Sequence, residues 1–367
     1  MFAAGAAIFA LLYSVQAVLP QLSETFAVSP AGAALAMSLP SAALAAAVIP
    51  AGALSERIGR SRMLIGAVVL TALLGALVPL SPTYPVLLVV RTLQGLTMAG
   101  MPAAVMAYLA EEIHPSALAG AVGTFVAGNG LGGMAGRMLA GTLADAGGFR
   151  VGLGAVSVLS VGCAVAFVTL LPAQRHPAVR SRGGGLLVHL GNPGLRRLYF
   201  AGFMLMAGFI TIYNYLGYRL LRPPFGLSPT LVGLIFLAYL AGTAASAVAG
   251  RLADRYGARP VLTGAILTAI TGTVGTLFDL LPAVLAGLTV ATAGFFAAHA
   301  VASGWVGRIA HTGRGPAAGL YVFAYYAGSS LGGWVGGLVF ERTGWPGTVA
   351  FVAAVFALAL TPVLRKL

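Results

Sequence analysis

The sequence predicts an all-α membrane protein in which twelve transmembrane helices form two six-helix bundles. Composition, the length of the apolar runs and an internal duplication predict it. Of 367 residues, 59% are hydrophobic and 8% charged, whereas soluble domains run near a quarter charged. Twelve apolar stretches can be drawn, each near the roughly 20 residues that a helix needs to cross a bilayer. Finally, Gly52-Ala-Leu-Ser-Glu-Arg-Ile-Gly-Arg60 recurs as Gly250-Arg-Leu-Ala-Asp-Arg-Tyr-Gly-Ala258, and Ala127-Gly-Asn-Gly-Leu-Gly-Gly133 as Ala327-Gly-Ser-Ser-Leu-Gly-Gly333, at shifts of 198 and 200 residues. One half-length unit is therefore written twice. Duplicated membrane bundles place a site between their halves near the midplane and rock around it, which points to a transporter.

The first half carries expected spans 2–22, 31–54, 63–82, 84–109, 117–142 and 150–172. The second carries 198–221, 229–250, 260–279, 281–306, 315–341 and 346–364. Met1 to Val18 is apolar but has no positive n-region and is followed by a second long run, so it reads as a span and not as a cleaved signal peptide. Because that span starts almost at Met1, no N-terminal cytoplasmic tail is expected. Glycine and proline inside the spans fit packed membrane helices, whose backbones approach closely at small residues. The longest polar stretch, Ala173–Arg197, carries Arg175, Arg180, Arg182, Arg196 and Arg197 around a flexible Gly183-Gly-Gly185. The expected units are a bundle 1–172, a cytoplasmic linker 173–197 and a bundle 198–367.

Charge sets the expected orientation. With both termini cytoplasmic, fifteen basic residues fall in inner loops and the C-terminal tail, and four (Arg150, Arg219, Arg222, Arg342) fall outside. That satisfies the positive-inside rule and places a multi-pass protein in a bacterial inner membrane. Since the net charge of +13 sits at span ends and not on one face, nucleic acid is not an expected partner; the lipid bilayer and a small-molecule substrate are. Cys163 is the only cysteine, so neither a disulfide nor a thiolate metal site is available. Arginine outnumbers the single lysine, Lys366, which reads as codon bias.

The Gly52 and Gly250 loops share the pattern Gly-x-Leu-x-Asp/Glu-Arg-x-Gly between spans 2 and 3 and spans 8 and 9. Physically, Gly52, Gly59, Gly250 and Gly257 permit tight turns, and Glu56 or Asp254 can sit at a helix N-terminus and pair with arginine. The pattern resembles the signature loop of the major facilitator superfamily, although the family usually has Asp at the position of Glu56. The resemblance covers the whole chain and implies the major facilitator fold with alternating access. It makes Glu56, Arg57, Arg60, Asp254 and Arg255 expected latch residues, with Asp254 and Arg255 helping to close the cytoplasmic face.

Arg91-Thr-Leu-Gln-Gly95 matches the superfamily's Arg-x-x-Gln-Gly pattern. The resemblance implies that Arg91, with Gln94 beside it, tunes a proton site or grips an anionic group, so neutralising it should abolish coupled transport without unfolding the bundle. Span 5 holds Gly128-Asn-Gly-Leu-Gly-Gly133, similar to the antiporter motif of the drug-exporting branch, with Asn129 where that motif has Pro. Its glycines Gly128, Gly132 and Gly133, and their counterparts Gly332 and Gly333 in span 11, allow close helix packing. Arg137 breaks the symmetry, since the second copy has Gly337; it is a coupling candidate with Asp145 and Glu341 as candidate partners.

Spans 1, 7, 10 and 11 are those where polar and aromatic side chains interrupt the apolar run. Leu12-Tyr-Ser-Val-Gln16, Ile212-Tyr-Asn-Tyr-Leu-Gly-Tyr-Arg219, Phe295-Phe-Ala-Ala-His299 and Tyr321-Val-Phe-Ala-Tyr-Tyr326 resemble the YnfM-like branch of the superfamily. Tyr13, Gln16, Tyr213, Asn214, Tyr215, Phe296, Tyr325 and Tyr326, with Arg91, Gln94 and Asn129, are the expected cavity residues, supplying donors, acceptors and ring faces. His299 is the only histidine inside a span and can carry a proton near neutral pH.

No carboxylate lies deep in any span, which favours anionic or neutral cargo over cations. The expected function is proton-coupled efflux of a small organic molecule by a monomer without a cofactor, using the proton gradient. The rival reading is uptake of an organic anion or neutral solute by symport or uniport. A membrane-embedded enzyme would need an acid pair, a metal cluster or an activated nucleophile, and no such motif occurs in the sequence.

Overall fold

The computed structural model describes residues 1–172, 174, 186–310 and 313–364. Their secondary structure is helical throughout, with no strand among the described residues. The spans are α1 (Phe2–Phe26), α2 (Pro30–Ile58), α3 (Arg60–Leu80) and α4 (Tyr84–Glu112). Next come α5 and α6, the arms 115–147 and 149–170 of one helix bent at Gly148, whose φ is 76°. In the second half these are α7 (Pro193–Leu220), α8 (Pro229–Tyr256), α9 (Ala258–Gly275) and α10 (Leu281–Ile309). The last two, α11 and α12, are the arms 314–343 and 345–364 on either side of Gly344, whose φ is 64°. Among the described residues nine helices are long and apolar enough to cross a membrane. Two of those nine are the bent pairs, and α9, with Arg259 in its first turn, completes twelve.

The structure moves several boundaries. Both α2 and α8 run on to within one residue of the next helix, so the matched loops are mostly helix ends. Gly59 (φ 97°) and Gly257 (φ 91°) make the turns, and their N–H groups bond Ser55 and Ala253 carbonyls at 3.1 and 3.0 Å. Only glycine adopts that backbone without strain. Gly52 and Gly250 lie inside the helices with open space where a Cβ would stand, so they make no turn. Similarly, α7 starts at Pro193, inside the expected linker. There the Asn192 side chain accepts from the Gly194 and Leu195 amides at 2.9 and 3.2 Å, an N-cap. A short helix, Leu186–Gly191, precedes it. Arg175, Arg180, Arg182, Gly183-Gly-Gly185, Arg365 and Lys366 lie outside the described residues.

The duplication is visible in the packing. In the first half, Gly128, Gly132 and Gly136 of α5 meet the α1 backbone at Phe2, Ala6 and Ala10. In the second, Gly328, Gly332 and Gly336 of α11 meet α7 at Phe203, Ala207 and Thr211. A Cβ on Gly132 would stand 2.4 Å from Ala6 Cα, and one on Gly332 2.4 Å from Ala207 Cα. Lipid supplies no hydrophobic force between helices, so association rests on such close backbone contact.

The halves meet where α2 packs on α11 and α5 on α8. Their side bearing the linker and the Gly59 and Gly257 turns is here called the linker side. On the opposite side, Glu341 Oε1 at the end of α11 accepts from the Ala31 amide in the first turn of α2 at 2.7 Å. Asp145 Oδ2 at the end of α5 accepts from the Thr230 amide and hydroxyl in the first turn of α8, at 3.3 and 2.7 Å. Each carboxylate thus meets the positive end of a helix from the other half. Between α1 and α7, Ser23 Oγ and Tyr218 Oη lie 2.7 Å apart, and Tyr218 donates to the Leu19 carbonyl at 2.9 Å. These ties close the opposite side.

Candidate functional site

Two spans are interrupted, α1 near its middle and α8 in its first third. Val15–Val18 in α1 and Leu234–Leu237 in α8 are 3-10 turns, and a 3-10 stretch within a helix often marks a hinge or a site. Arg137 of α5 stands between them, only 1% exposed. Its Nε donates to Gln16 Oε1 at 2.8 Å, one terminal nitrogen to the Gly133 carbonyl at 3.0 Å, and the other to Tyr239 Oη at 2.9 Å. The rings of Tyr13, Tyr239 and Phe236 lie 4.1, 4.6 and 4.9 Å from its guanidinium carbon. Gln16 Nε2 in turn donates to Asn214 Oδ1 of α7 at 2.7 Å. Tyr13, Gln16, Arg137 and Asn214 are therefore brought together, and the node spans both halves. The partners expected for Arg137 were Asp145 and Glu341; both are instead occupied at the helix ends described above. Tyr239 and Phe236 were not foreseen, because in sequence they are two aromatics in an apolar run.

Arg91 is placed differently from its expected cavity role. It is 1% exposed and turned into its own half, where Nε donates to the Ala36 carbonyl at 2.9 Å. Its terminal nitrogens donate to the Leu11 and Leu12 carbonyls at 3.0 and 2.8 Å, and to Gln94 Oε1 at 2.5 Å. Pro40 explains the first bond: it has no N–H, so the carbonyl four residues earlier, Ala36, lacks its helical donor. The other two carbonyls lie where α1 passes into its 3-10 turn. Gln94 completes the arrangement by donating to the Thr71 carbonyl at 3.2 Å. Gly95 sits against the Pro40 backbone, with a Cβ position 2.2 Å from its carbonyl oxygen. Arg91 thus repairs broken helices, which the membrane interior demands.

A second polar and aromatic group lies on α7, α10 and α11. Phe209 and Phe295 stack at 3.7 Å between centroids, and Phe296 meets Tyr239 edge-on at 5.2 Å. His299 Nδ1 lies 3.0 Å from Tyr321 Oη, with the Tyr325 ring 4.7 Å away and Tyr326 packed edge-on against Tyr325. Phe296, His299 and Tyr325 remain part-exposed within this group. Two expected cavity tyrosines serve packing instead: Tyr213 Oη is 2.7 Å from Thr292 Oγ1, and Tyr215 donates to the Gly333 carbonyl at 2.5 Å. Asn129 faces α1 at Gly5, where its Oδ1 is buried without a partner.

The charged motif residues pair within each half. Arg60 bonds Ser55 Oγ at 2.5 Å and lies 3.7 Å from Glu56 and 3.5 Å from Glu111 of α4. Asp254 pairs with Arg308 of α10 at 3.1 Å, whereas Arg255 lies over the Tyr256 ring at 5.2 Å. The expected Asp254–Arg255 latch is not formed, since neighbours one residue apart on a helix do not face each other. Arg57 is exposed. Glu111 and Arg308 lie outside both loop motifs, so the motifs alone do not name these partners.

Comparison with known proteins agrees with this architecture. The family model described as Major Facilitator Superfamily matches residues 1–217 and again 198–367, once for each half. The chain is 40% identical over 365 residues to the inner membrane transport protein YnfM of Escherichia coli K12, covering 98% of this chain and 88% of that protein. It is 36% identical over 364 residues to the MFS-type transporter YybF of Bacillus subtilis 168, covering 98% and 90%. Among solved structures, the nucleoside transporter NupG superposes with a TM-score of 0.75 at 16% identity, covering 99% of both chains. A bacterial homologue of the human lysosomal transporter Spinster gives 0.74 at 16%, covering 99% and 92%. The chain belongs to the major facilitator superfamily.

Proposed function

We propose that this membrane transporter exports a small organic molecule across the inner membrane in exchange for protons, by alternating access around the Arg137 node. The observation that carries the reading is the meeting of two broken helices, one from each half, on a buried cation. Units 1–172 and 198–367, joined by 173–197, would rock as bodies, with the linker side cytoplasmic as the positive-inside rule has it. In the state described, the ties at Glu341, Asp145 and Tyr218 hold the periplasmic side shut. Opening it requires breaking them, together with the Arg137–Tyr239 bond. The part-exposed Phe296, His299 and Tyr325 would receive the cargo's apolar body, with His299 the proton carrier among the span residues. The glycine-rich stretch of α5 supports exchange over symport. The second reading, anion uptake by symport or uniport, draws on the absence of any deep carboxylate in the sequence.

Proton flux in proteoliposomes loaded with a pH-sensitive dye tests this directly. Organic anions, cations and neutral aromatics are added outside. The expected result is compound-dependent proton movement opposite to the compound. Movement in the same direction would establish symport, and compound uptake without protons would establish uniport; either would overturn the exchange reading.

A further inference from the structure

Arginine has only donors, and this fixes the direction of every bond in the central chain. Arg137 must donate to the oxygen of Gln16, so the Gln16 amide nitrogen faces Asn214 and must find an oxygen there. That leaves Asn214 Nδ2 at the far end, and it is buried without a partner on a side chain 1% exposed. Each bond in such a series polarises the next, so the positive character of the guanidinium is passed to that final N–H group. A second orphan lies beside it: Ser38 Oγ of α2, also buried without a partner. Both flank the bare backbone of Gly333 in α11, where a Cβ would stand 2.9 Å from Ser38 Oγ and 3.1 Å from Asn214 Nδ2. Two unused polar groups, one from each half, thus converge on a position that carries no side chain.

We infer that the transported molecule carries an anionic oxygen, a carboxylate, and that Asn214 Nδ2 and Ser38 Oγ are the donors that receive it. The inference rests on the proposed transport site. The charge of the cargo meets the end of the Arg137–Gln16–Asn214 chain, and its body meets the rings of α7, α10 and α11. Donation to a charged oxygen is stronger than to a neutral one, and the carboxylates of Glu56, Glu111, Asp254 and Asp279 pair with arginines other than Arg137. In the present state the two donors are closed over at the junction of α2, α7 and α11, with no room for even a Cβ at Gly333. Parting α2 from α11, the movement that opens the opposite side, uncovers both donors together, so the anion is taken or released there.

Benzoate, benzamide and benzylammonium share one ring and differ in headgroup charge, and their binding to the purified full chain can be read as a thermal shift in detergent. Benzoate is expected to bind at least about tenfold more tightly than benzamide, with no saturable shift from benzylammonium. Asn214→Asp keeps the acceptor for Gln16 but puts a carboxylate oxygen in the pocket; it should weaken benzoate at least about tenfold, while Ser41→Ala stays within about twofold. If Asn214→Asp does not fold, Gly333→Ala narrows the same pocket and carries the same expectation. Three results would overturn the inference: no saturable benzoate shift, equal affinity for the amide or the amine, or an unchanged affinity in the folded pocket variant. Binding is read without a gradient, so a failure of proton exchange leaves this result standing, and selective transport of neutral compounds would sink this inference alone.

Discussion

Arg91→Ala should leave the first bundle poorly assembled. The guanidinium supplies bonds to the Ala36, Leu11 and Leu12 carbonyls; Leu11 keeps a second donor in Ser14 Oγ, and each of the other two left unsatisfied and buried costs about 1–3 kcal/mol. That loss is a large share of the whole stability of many proteins, about 5–15 kcal/mol. The expected outcome is a loss of most detergent-extractable monodisperse protein, or a steep fall in Tm of what remains. Pro40→Ala in the same chain should recover part of that loss, because residue 40 then has an N–H for the Ala36 carbonyl. If Arg91→Ala were as stable as the parent, or if Pro40→Ala gave no recovery in its background, the helix-repair role would be wrong. The expectation from sequence alone differs: there Arg91 serves coupling and can be neutralised without harm to the fold.

Arg137→Met should behave in the opposite way, folding well and transporting little. Unlike Arg91, Arg137 donates to two side chains and one carbonyl inside a helix; Gln16 keeps its bond to Asn214, and the Gln16 oxygen left without a donor costs about 1–3 kcal/mol. What is lost is the fork that joins α1, α5 and α8 and polarises Asn214. A fall in initial transport rate of about 100-fold corresponds to about 2.7 kcal/mol, a reasonable value for losing charge-assisted bonds of about 1.5–3 kcal/mol each. Arg137→Lys retains the charge but not the planar fork, so it should recover less than about a tenth of the parent rate. Rates in proteoliposomes beside Tm values check both. Transport by Arg137→Met within about twofold of the parent would remove the node from the mechanism.

Much of this was legible in the sequence because it is periodic or repeated. Span lengths, the doubled glycine loops and the glycine ridges of α5 and α11 all depend on residues near one another in the chain. Arg137 stood out for the same reason, as the place where the second copy has Gly337. What could not be read were partners brought together by the fold. Gln16 lies 121 residues from Arg137 and Tyr239 lies 102; nothing in either segment names the other. The partners of Arg91 were not legible because they are backbone carbonyls, and the clue, Pro40 in the middle of α2, acts by what it lacks. Gly52 and Gly250 were credited with turns that Gly59 and Gly257 make, since a motif shows spacing without φ. Asp145 and Glu341 were visible as acids at span ends, but their role needs the helix starts of the other half.

The central claim is that the halves rock about the Arg137 node between a state closed opposite the linker and one closed at the linker. Cys163→Ser removes the single native thiol. Spin labels can then be placed at the exposed residues Thr83 and Arg222 on the opposite side, and at Arg57 and Arg255 on the linker side. Distances between the labels of each pair are measured in lipid nanodiscs with and without Arg137→Met. The account predicts that the substitution populates a longer 83–222 distance and a shorter 57–255 distance together. Distances that stay unchanged on both sides, or lengthen on both, would contradict it.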